Sequence, residues 1–279
     1  MSDKTLNIKG TLMSLSTPVV MGILNVTPDS FYAGSRKQTE ADIEERIQAI
    51  LSEGGQIIDV GGYSSRPDAE VVSPEEEMER LAFALKILNA HYPEAVVSVD
   101  TFRADVARKC VEDYGVAIIN DISGGDFDSD MFPAVASLGL PYILMHTKGM
   151  PDEMVSNAHY KDVTGEVAAH ISRRIEKLRA IGFDNIIVDP GFGFAKDAAQ
   201  NFRLMKDLGE FKKLGYPVLV GISRKGMIWK TLGITPDEAL NGTTVLNTAA
   251  LLHGADILRV HDVKEAVQAV KLVSMLGID

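Results

Sequence analysis

The sequence predicts one α/β domain, a single (β/α)8 barrel preceded by a short N-terminal β-hairpin. Eight apolar runs rich in β-branched residues recur evenly along the 279 residues, with helical patterns between them. Runs that are apolar almost throughout are typical of strands buried on both faces of a parallel sheet. Each run carries a polar residue at or near its C-terminal end, where a (β/α)8 barrel builds its active site. The even rhythm favours one barrel over two smaller domains.

The first element is a hairpin. Residues 5–17 alternate in hydrophobicity around Gly10, a pattern that predicts two short antiparallel strands. We expect this hairpin to cover the bottom of the barrel. The expected division is therefore a hairpin extension over residues 1–18 and a barrel over residues 19–279.

The barrel strands follow in order, and each is a short apolar run. They are VVMGILN (19–25), IIDVGG (57–62), VVSVD (96–100), AIIND (117–121), YILMH (142–146), IIVDPG (186–191), VLVGIS (218–223) and ILRVHD (257–262). A helical spacing of apolar residues follows each strand. The predicted helices cover residues 39–53, 74–91, 103–114, 131–138, 160–181, 199–214, 236–252 and 263–276.

Local signals support these boundaries. Ser73 is a favourable N-cap, Pro74 suits the first helical turn, and three glutamates follow at the positive end of the helix dipole. The loops after the first, second and fifth strands are long, at residues 27–38, 63–72 and 147–159. Long loops at a barrel mouth commonly contact substrate, so we expect them to take part in the site.

Composition excludes several classes of function. A net charge of −11 argues against a nucleic-acid partner, which would require clustered lysine and arginine. No stretch approaches about 20 apolar residues and no signal-peptide pattern opens the chain, so we expect no membrane partner and a cytoplasmic protein. The single cysteine, Cys110, cannot form an intrachain disulfide and is expected to be a buried packing residue.

The predicted mouth combines acidic, amide and basic side chains. They are Asn25, Arg66, Asp100, Asn120, His146, Asp189, Lys225, Arg259 and His261. A carboxylate accepts two parallel N–H bonds from an amidine-like edge, so carboxylates beside amides suit a planar, nitrogen-rich heterocycle. The cations suit a phosphorylated group. Any one strand-end Asp could equally cap a helix or pair with an arginine, but the whole set favours a binding site.

The phosphate would lie near the last two strands. The GxxxxGK[ST] motif is absent, and GFGFAK (191–196) lacks the full dinucleotide fingerprint. SRKG (223–226) and RVHD (259–262) each open a helix, at the two places where this fold commonly holds phosphate. No metal motif is present, although one side-chain oxygen such as that of Asn25 could hold Mg²⁺ together with waters and substrate phosphates. No nucleophile arrangement is apparent, which favours electrostatic stabilisation of a leaving anion.

Eight separated motifs carry a resemblance to a known family. They are MGILNVTPDSF (21–31), IIDVGGYSSRP (57–67), VSVDT (97–101), NDISGG (120–125), MHTKGMP (145–151), DPGFGFAK (189–196), GISRKG (221–226) and RVHDV (259–263). In these motifs and their order, from about residue 19 to the end, the chain resembles the dihydropteroate synthase family. The resemblance implies a (β/α)8 barrel that joins (7,8-dihydropterin-6-yl)methyl diphosphate to 4-aminobenzoate, giving 7,8-dihydropteroate and pyrophosphate in folate biosynthesis. It also implies a Mg²⁺ requirement, a homodimer formed through the last helices, and a target of sulfonamides.

The resemblance assigns roles to particular residues. It places the pterin ring on Asp100, Asn120, Asp189 and Lys225. It places the diphosphate on Asn25, Ser65, Arg259 and His261, with Mg²⁺ at Asn25, and we expect Arg259 to contact only the phosphate oxygens. It places 4-aminobenzoate among Phe31, Ser65, Arg66, Pro67, Ser223 and Lys225. The residues expected to act in catalysis are Asn25, Asp29, Lys225, Arg259 and His261, with Asp29 shielding or stabilising a pterin cation.

Three positions depart from the family pattern. The family commonly has threonine at Ser65, an acid or a small residue at Tyr63, and aspartate at Ala33. Two alternative functions therefore stay open. One is a catalytically silent paralogue that binds pterin or a partner protein. The other is a pterin-binding methyltransferase barrel that passes a methyl group to a corrinoid protein, which would share Asp100, Asn120 and Asp189.

Overall fold

Parallel strands form the centre of the molecule. The computed structural model describes residues 4–27, 39–63, 72–150, 153 and 156–277. The strands are β1 (Thr5–Ile8), β2 (Thr11–Ser14), β3 (Val19–Asn25), β4 (Ile57–Gly61), β5 (Val96–Asp100), β6 (Ile118–Asp121), β7 (Tyr142–Met145), β8 (Ile186–Asp189), β9 (Leu219–Val220) and β10 (Ile257–Val260). The last eight pair in parallel in the order β8-β7-β6-β5-β4-β3-β10-β9. A parallel bridge between Val188 and Val218 brings β8 to β9 and closes the barrel. The predicted fold class is confirmed.

The hairpin of β1 and β2 covers the bottom of the barrel, as expected. Leu6, Ile8 and Leu15 are buried in one cluster with residues from the strands, among them Met21 and Ile57. These two strand residues lie two or more positions before the polar strand ends. The hairpin therefore fills the end of the barrel opposite the mouth with apolar side chains, which stabilises the fold without blocking a site.

Helices alternate with the strands. They are α1 (Glu40–Ser52), α2 (Pro74–His91), α3 (Ala104–Tyr114), α4 (Met131–Leu138), α5 (Val163–Ala180), α6 (Ala198–Lys206), α7 (Gly209–Lys212), α8 (Gly226–Leu232), α9 (Leu240–Leu252) and α10 (Val263–Ser274). The predicted cap of α2 is present, because the Ser73 hydroxyl accepts the Glu76 N–H at 3.2 Å. Within the described ranges, no helix is long and apolar enough to cross a membrane.

Three predicted elements differ most from the structure. The seventh barrel strand, predicted over residues 218–223, is shortened to β9. The chain turns after β9, where the Lys225 N–H donates to Ile222 O at 3.1 Å. The predicted helix at 199–214 is split into α6 and α7. The helix predicted from residue 236 begins at Leu240, because Thr235 and Glu238 first form a hydrogen-bonded turn.

Candidate active site

The strand register places three predicted site residues in a row at the mouth. Asn25 pairs with Gly61, Gly61 with Asp100, and Asp100 with Asn120, so these four residues lie side by side on neighbouring strands. Gly61 keeps the row open, since a Cβ there would lie 3.2 Å from Asn25 Oδ1 and 3.6 Å from the Asp100 Cβ. The side-chain oxygens of Asn25 on β3 and Asp100 on β5 can therefore face one ligand from the two sides of Gly61.

Arg259 crosses the barrel to two acidic residues. Its Nε donates to Asp59 Oδ2 at 2.6 Å, and its Nη2 donates to Asp100 Oδ2 at 2.7 Å. The expectation that this guanidinium contacts only phosphate oxygens is wrong, because it is also the counter-ion of the predicted pterin carboxylate. A guanidinium has five N–H donors, so these two contacts leave donors for phosphate.

Asp59 is a site residue that the sequence reasoning did not assign. It is fully buried in β4, and its Oδ2 also accepts from Asn120 Nδ2 at 3.0 Å. Its second oxygen, Oδ1, has no hydrogen-bond partner among the residues that the structure describes. Asp59 thus links Asn120 to Arg259 beneath the mouth. A charged residue inside an apolar strand was the available signal, since buried carboxylates require partners.

The charge of the cluster is finely balanced. Burial raises the pKa of Asp100 to about 7, with the Arg259 guanidinium opposing this shift and the carboxylates of Asp59, Glu77 and Asp121 adding to it. Desolvation lowers the pKa of Arg259, but the two paired carboxylates outweigh it and the net shift is upward. Arg259 is therefore a permanent cation. Its charge favours the ionised form of Asp100, which becomes the main form as the pH rises above about 7.

Asp189 and Lys225 form the other side of the mouth. Asp189 is buried, and its Oδ1 accepts the Gly191 N–H at 2.7 Å. Burial raises the pKa of Asp189, and the nearby Lys225 opposes that shift. Burial lowers the pKa of Lys225 to about 8, with Asp189 opposing. The Lys225 ammonium donates to Phe192 O at 2.5 Å and lies 4.5 Å from the centre of the Phe194 ring.

The loops that follow β9 and β10 are joined by hydrogen bonds. The Ser223 hydroxyl lies 3.1 Å from His261 Nδ1 and accepts the His261 N–H at 3.1 Å. Arg224, which adopts a left-handed backbone (φ 54°), donates to both oxygens of Asp262. Arg46 Nη2 donates to His261 O at 2.7 Å. Because the Ser223 hydroxyl is engaged with His261, its role toward 4-aminobenzoate stays a prediction.

His261 lies at the exposed rim of the mouth. The pKa of His261 lies below its ordinary value. Desolvation is the largest cause, and the positive charge of Arg259 is the second. The imidazole is therefore neutral at pH 7. A neutral imidazole can still donate one N–H bond to a phosphate oxygen.

His146 does not belong to the open mouth. It is buried, and its Nδ1 lies 3.0 Å from the ammonium of Lys196, a lysine that the sequence analysis left without a role. Burial lowers the pKa of both groups well below their ordinary values. His146 is thus neutral and serves as a hydrogen-bond acceptor, because only the unprotonated nitrogen can receive the lysine N–H.

An apolar wall completes the described part of the mouth. Phe102, Ile122 and Met145 are buried together, and Tyr63 and Phe194 pack on them. The Tyr63 ring meets Phe102 edge to face at 5.2 Å. The family departure at Tyr63 is therefore accommodated by aromatic packing. Such a wall suits a flat, partly apolar ligand whose polar edge faces the carboxylates.

Several expected contacts lie outside the described residues. They are Asp29, Phe31, Ala33, Ser65, Arg66 and Pro67, which belong to the ranges 28–38 and 64–71. Their assigned roles stay predictions. The arrangement that is described can hold a planar heterocycle between Asp189 and Asp100 and an anion near Arg259 and His261. No group of three or more His, Cys, Asp or Glu side chains in the described ranges could hold a metal ion.

Comparisons with known proteins agree with this geometry. The sequence matches the family described as pterin binding enzyme over residues 21–261. It is 40% identical over 267 residues to the dihydropteroate synthase of Escherichia coli strain K12, covering 95% of this chain and 94% of that protein. Yersinia pestis dihydropteroate synthase, solved in a sulfonamide drug complex, matches with a TM-score of 0.91 and 36% identity over 98% of both chains. The Xanthomonas albilineans enzyme, solved with 4-aminobenzoic acid, matches with a TM-score of 0.90 and 35% identity over 100% of both chains.

Proposed function

The chain belongs to the family of pterin-binding enzymes, and we propose from this premise that it is a dihydropteroate synthase. It joins (7,8-dihydropterin-6-yl)methyl diphosphate to 4-aminobenzoate and releases pyrophosphate. The observation that carries the proposal is the mouth cluster in which Arg259 bridges Asp59 and Asp100 while Asn120 bonds to Asp59. The cluster presents carboxylates to a nitrogen-rich ring and a cation to its diphosphate.

The pterin ring would lie across the row at the mouth. Asp100 ends β5 and Asp189 ends β8, and both carboxylates can accept N–H bonds from the ring edge. Asn120 adds an amide that is held in place by Asp59. Lys225, beside Phe194, would cover the ring or donate to its carbonyl. These roles are supported by the burial of Asp189 and Asn120 at 5% and 3% exposure, which removes competing water.

The diphosphate would extend from the ring toward the loops after β9 and β10. Arg259 and His261 supply N–H donors there, and Ser65 is expected to add a hydroxyl. Asn25 ends β3, the strand that pairs with β10, so its oxygen would border the same space. One neutral amide oxygen fits a Mg²⁺ ion that receives its other ligands from phosphate and water. When bound, that ion would neutralise charge on the departing pyrophosphate.

The metal requirement follows from this donor set. We expect Mg²⁺ to be needed for turnover, and Asn25→Ala to raise the Mg²⁺ concentration for half-maximal rate about several-fold, because one of few ligands is lost. The check is a Mg²⁺ titration of the initial rate. Asn89→Ala on the outer face of α2 is the control and should leave the titration unchanged. Full activity in excess chelator would contradict the metal role.

The reaction requires little acid–base chemistry from the protein. As the bond between the methylene carbon and the diphosphate oxygen breaks, Arg259 and His261 stabilise the departing anion. Asp100 and Asp189 favour the positive charge that develops on the pterin, and Asp29 is expected to assist. The neutral amine of 4-aminobenzoate attacks the methylene and then loses its proton. Phe31, Arg66 and Pro67 are expected to hold this second substrate, together with Ser223 and Lys225.

The last helices offer an interface for a homodimer. Leu232, Val245, Leu272 and Met275 are exposed apolar residues of this region, with Leu272 at 71% and Met275 at 85% exposure. Exposed apolar side chains on neighbouring helices indicate a protein contact. We infer that two copies of the chain meet here. The cytoplasmic location expected from the sequence stays a proposal.

The homodimer has a direct test. We expect the protein to sediment as a dimer, and Leu272→Glu to shift it to a monomer, because each copy would place a charge in the apolar contact. Leu12→Glu alters a leucine of similar exposure, 65%, at the hairpin end of the barrel and should leave the dimer intact. A monomeric unmodified protein, or a Leu272→Glu dimer of unchanged affinity, would contradict this interface.

Product analysis separates the proposal from its two alternatives. Incubation with both substrates should yield 7,8-dihydropteroate, identified by its mass. A silent paralogue would bind pterin without forming product, and a methyltransferase barrel would have no use for 4-aminobenzoate. The presence of Lys225, Arg259 and His261 at the expected positions favours the synthase over both.

A further inference from the structure

Lys196 is a buried lysine that the proposed reaction does not use. Only 8% of the residue is exposed. Its ammonium donates to Gly191 O and Phe194 O at 2.9 Å each, and to His146 Nδ1 at 3.0 Å. An ammonium has three N–H donors, and these three short contacts engage all of them, with His146 O as a longer fourth contact at 3.5 Å. Two of the short contacts are to backbone carbonyls of the loop at residues 191–195, so this loop folds around the Lys196 side chain.

The loop that Lys196 holds has an unusual backbone. Gly191 and Gly193 have φ values of 73° and 81°, and Ala195 has a φ of 48°. A Cβ at Gly191 would lie 2.0 Å from His146 O, so the loop presses against the end of β7. A non-glycine residue in the left-handed region persists only where its surroundings hold it. Lys196 supplies such support between Gly191 and Phe194.

This loop contacts Lys225 at two points. Phe192 O accepts from the Lys225 ammonium at 2.5 Å, and the Phe194 ring lies 4.5 Å from the same ammonium. Phe192 lies between the two carbonyls that bond to Lys196. A change in the position of these carbonyls would therefore move both groups that orient Lys225.

We propose that Lys196 is a positioning residue for the pterin subsite. It fixes the Phe192 carbonyl and the Phe194 ring, and these two groups orient the Lys225 ammonium. This inference rests on the proposed function, because it takes the pterin ring as the ligand of Lys225. Lys196 itself lies behind the loop, bonded to His146, and contacts the ligand only through the loop. The distinctive consequence is energetic coupling between Lys196 and Lys225.

A double-mutant cycle measures that coupling. The proteins are the unmodified chain, Lys196→Met, Lys225→Met and the double variant, and calorimetry gives the affinity of each for a free pterin. Removal of the Lys196 ammonium should weaken pterin binding about tenfold or more in the unmodified background. The same change should have less than about a twofold effect when residue 225 is methionine, since the group that Lys196 positions is then absent.

Two further variants separate positioning from stability. Lys4→Met removes another lysine that joins distant segments, through its 2.7 Å bond to Asp256 at the bottom of the barrel, and should not alter pterin affinity. Lys196→Gln is used in the same cycle if Lys196→Met does not fold, because its amide can still donate to the two carbonyls. With this variant the loss of pterin affinity should be smaller but should again vanish in the Lys225→Met background.

The outcomes are distinguishable. Equal losses in both backgrounds would show that the loop acts independently of Lys225 and would overturn the inference. Unchanged pterin affinity in the Lys196 variants would also overturn it. Failure of the unmodified protein to bind pterin would instead contradict the proposed function.

Discussion

Replacement of Asp189 by alanine should abolish measurable pterin binding and turnover while leaving the barrel folded. Asp189 is buried at the end of β8, with one oxygen fixed by the Gly191 N–H at 2.7 Å. Loss of a charge-assisted pair that leaves buried donors of the ring unpaired should cost on the order of 2–4 kcal/mol of binding free energy. Calorimetric titration with free pterin measures this loss, and circular dichroism monitors the fold.

Asp121 provides a matched control for the Asp189 variant. It is also a buried carboxylate at the end of a barrel strand, but both of its oxygens accept bonds from within the protein, from Ser123 N, Gly125 N and the Tyr142 hydroxyl. Asp121→Asn should therefore lower the melting temperature and leave pterin affinity within a few-fold of the unmodified value. Native pterin affinity in Asp189→Ala would show that the ring lies elsewhere.

Arg259 should be replaced by alanine and the binding of both ligands measured at alkaline pH. Under this condition the variant should lose far more affinity for the diphosphate substrate than for free pterin. The guanidinium would contact phosphate, but it is also the counter-ion of Asp59 and Asp100. Its charge opposes the burial that raises the pKa of Asp100 to about 7. Without Arg259 this pKa rises further, so the carboxyl group is protonated at neutral pH and regains its charge only in more alkaline solution.

The pH dependence of binding tests this double role. In the unmodified protein, pterin affinity should increase as pH rises through about 7, because the ring donors require ionised Asp100. In Arg259→Ala the increase should shift to higher pH, while the diphosphate-specific affinity stays low at every pH. The control is Arg174→Ala, which removes an arginine of the outer helix α5 that pairs with Asp126. This variant should alter neither profile. An equal loss of both ligands across the pH range would mean that Arg259 only shapes the ring pocket.

The sequence is sufficient to predict the barrel because its strands have a local signature. Runs such as those of β3 and β7 are apolar on both faces, and the turn residues and helix caps between the runs mark the boundaries within a few residues. The mouth residues Asp100, Asn120 and Asp189 follow from the same signature, since each lies at the end of a strand or one residue before it. β9 was predicted too long, because the apolar character of residues 221–222 reflects burial in a turn instead of strand pairing.

The partners of the site residues could not be predicted in the same way. The bonds from Arg259 to Asp59 and Asp100 join residues 200 and 159 positions apart, and they depend on strand register and side-chain reach. In the sequence, Lys196 is one charged residue in a glycine-rich loop, and nothing local indicates that it is buried. Its burial arises only because the loop folds back over it. Backbone acceptors such as Phe192 O leave no mark in the sequence, because every residue type carries the same carbonyl.

Release of pyrophosphate from (7,8-dihydropterin-6-yl)methyl diphosphate tests the proposed activity most directly. The protein is assayed with Mg²⁺ and this substrate, with and without 4-aminobenzoate, and the pyrophosphate and the pteroate product are both quantified. We expect pyrophosphate release to depend on 4-aminobenzoate and to match 7,8-dihydropteroate formation mole for mole. Pterin binding without any release of pyrophosphate, or release that never yields dihydropteroate, would contradict the assignment as a dihydropteroate synthase.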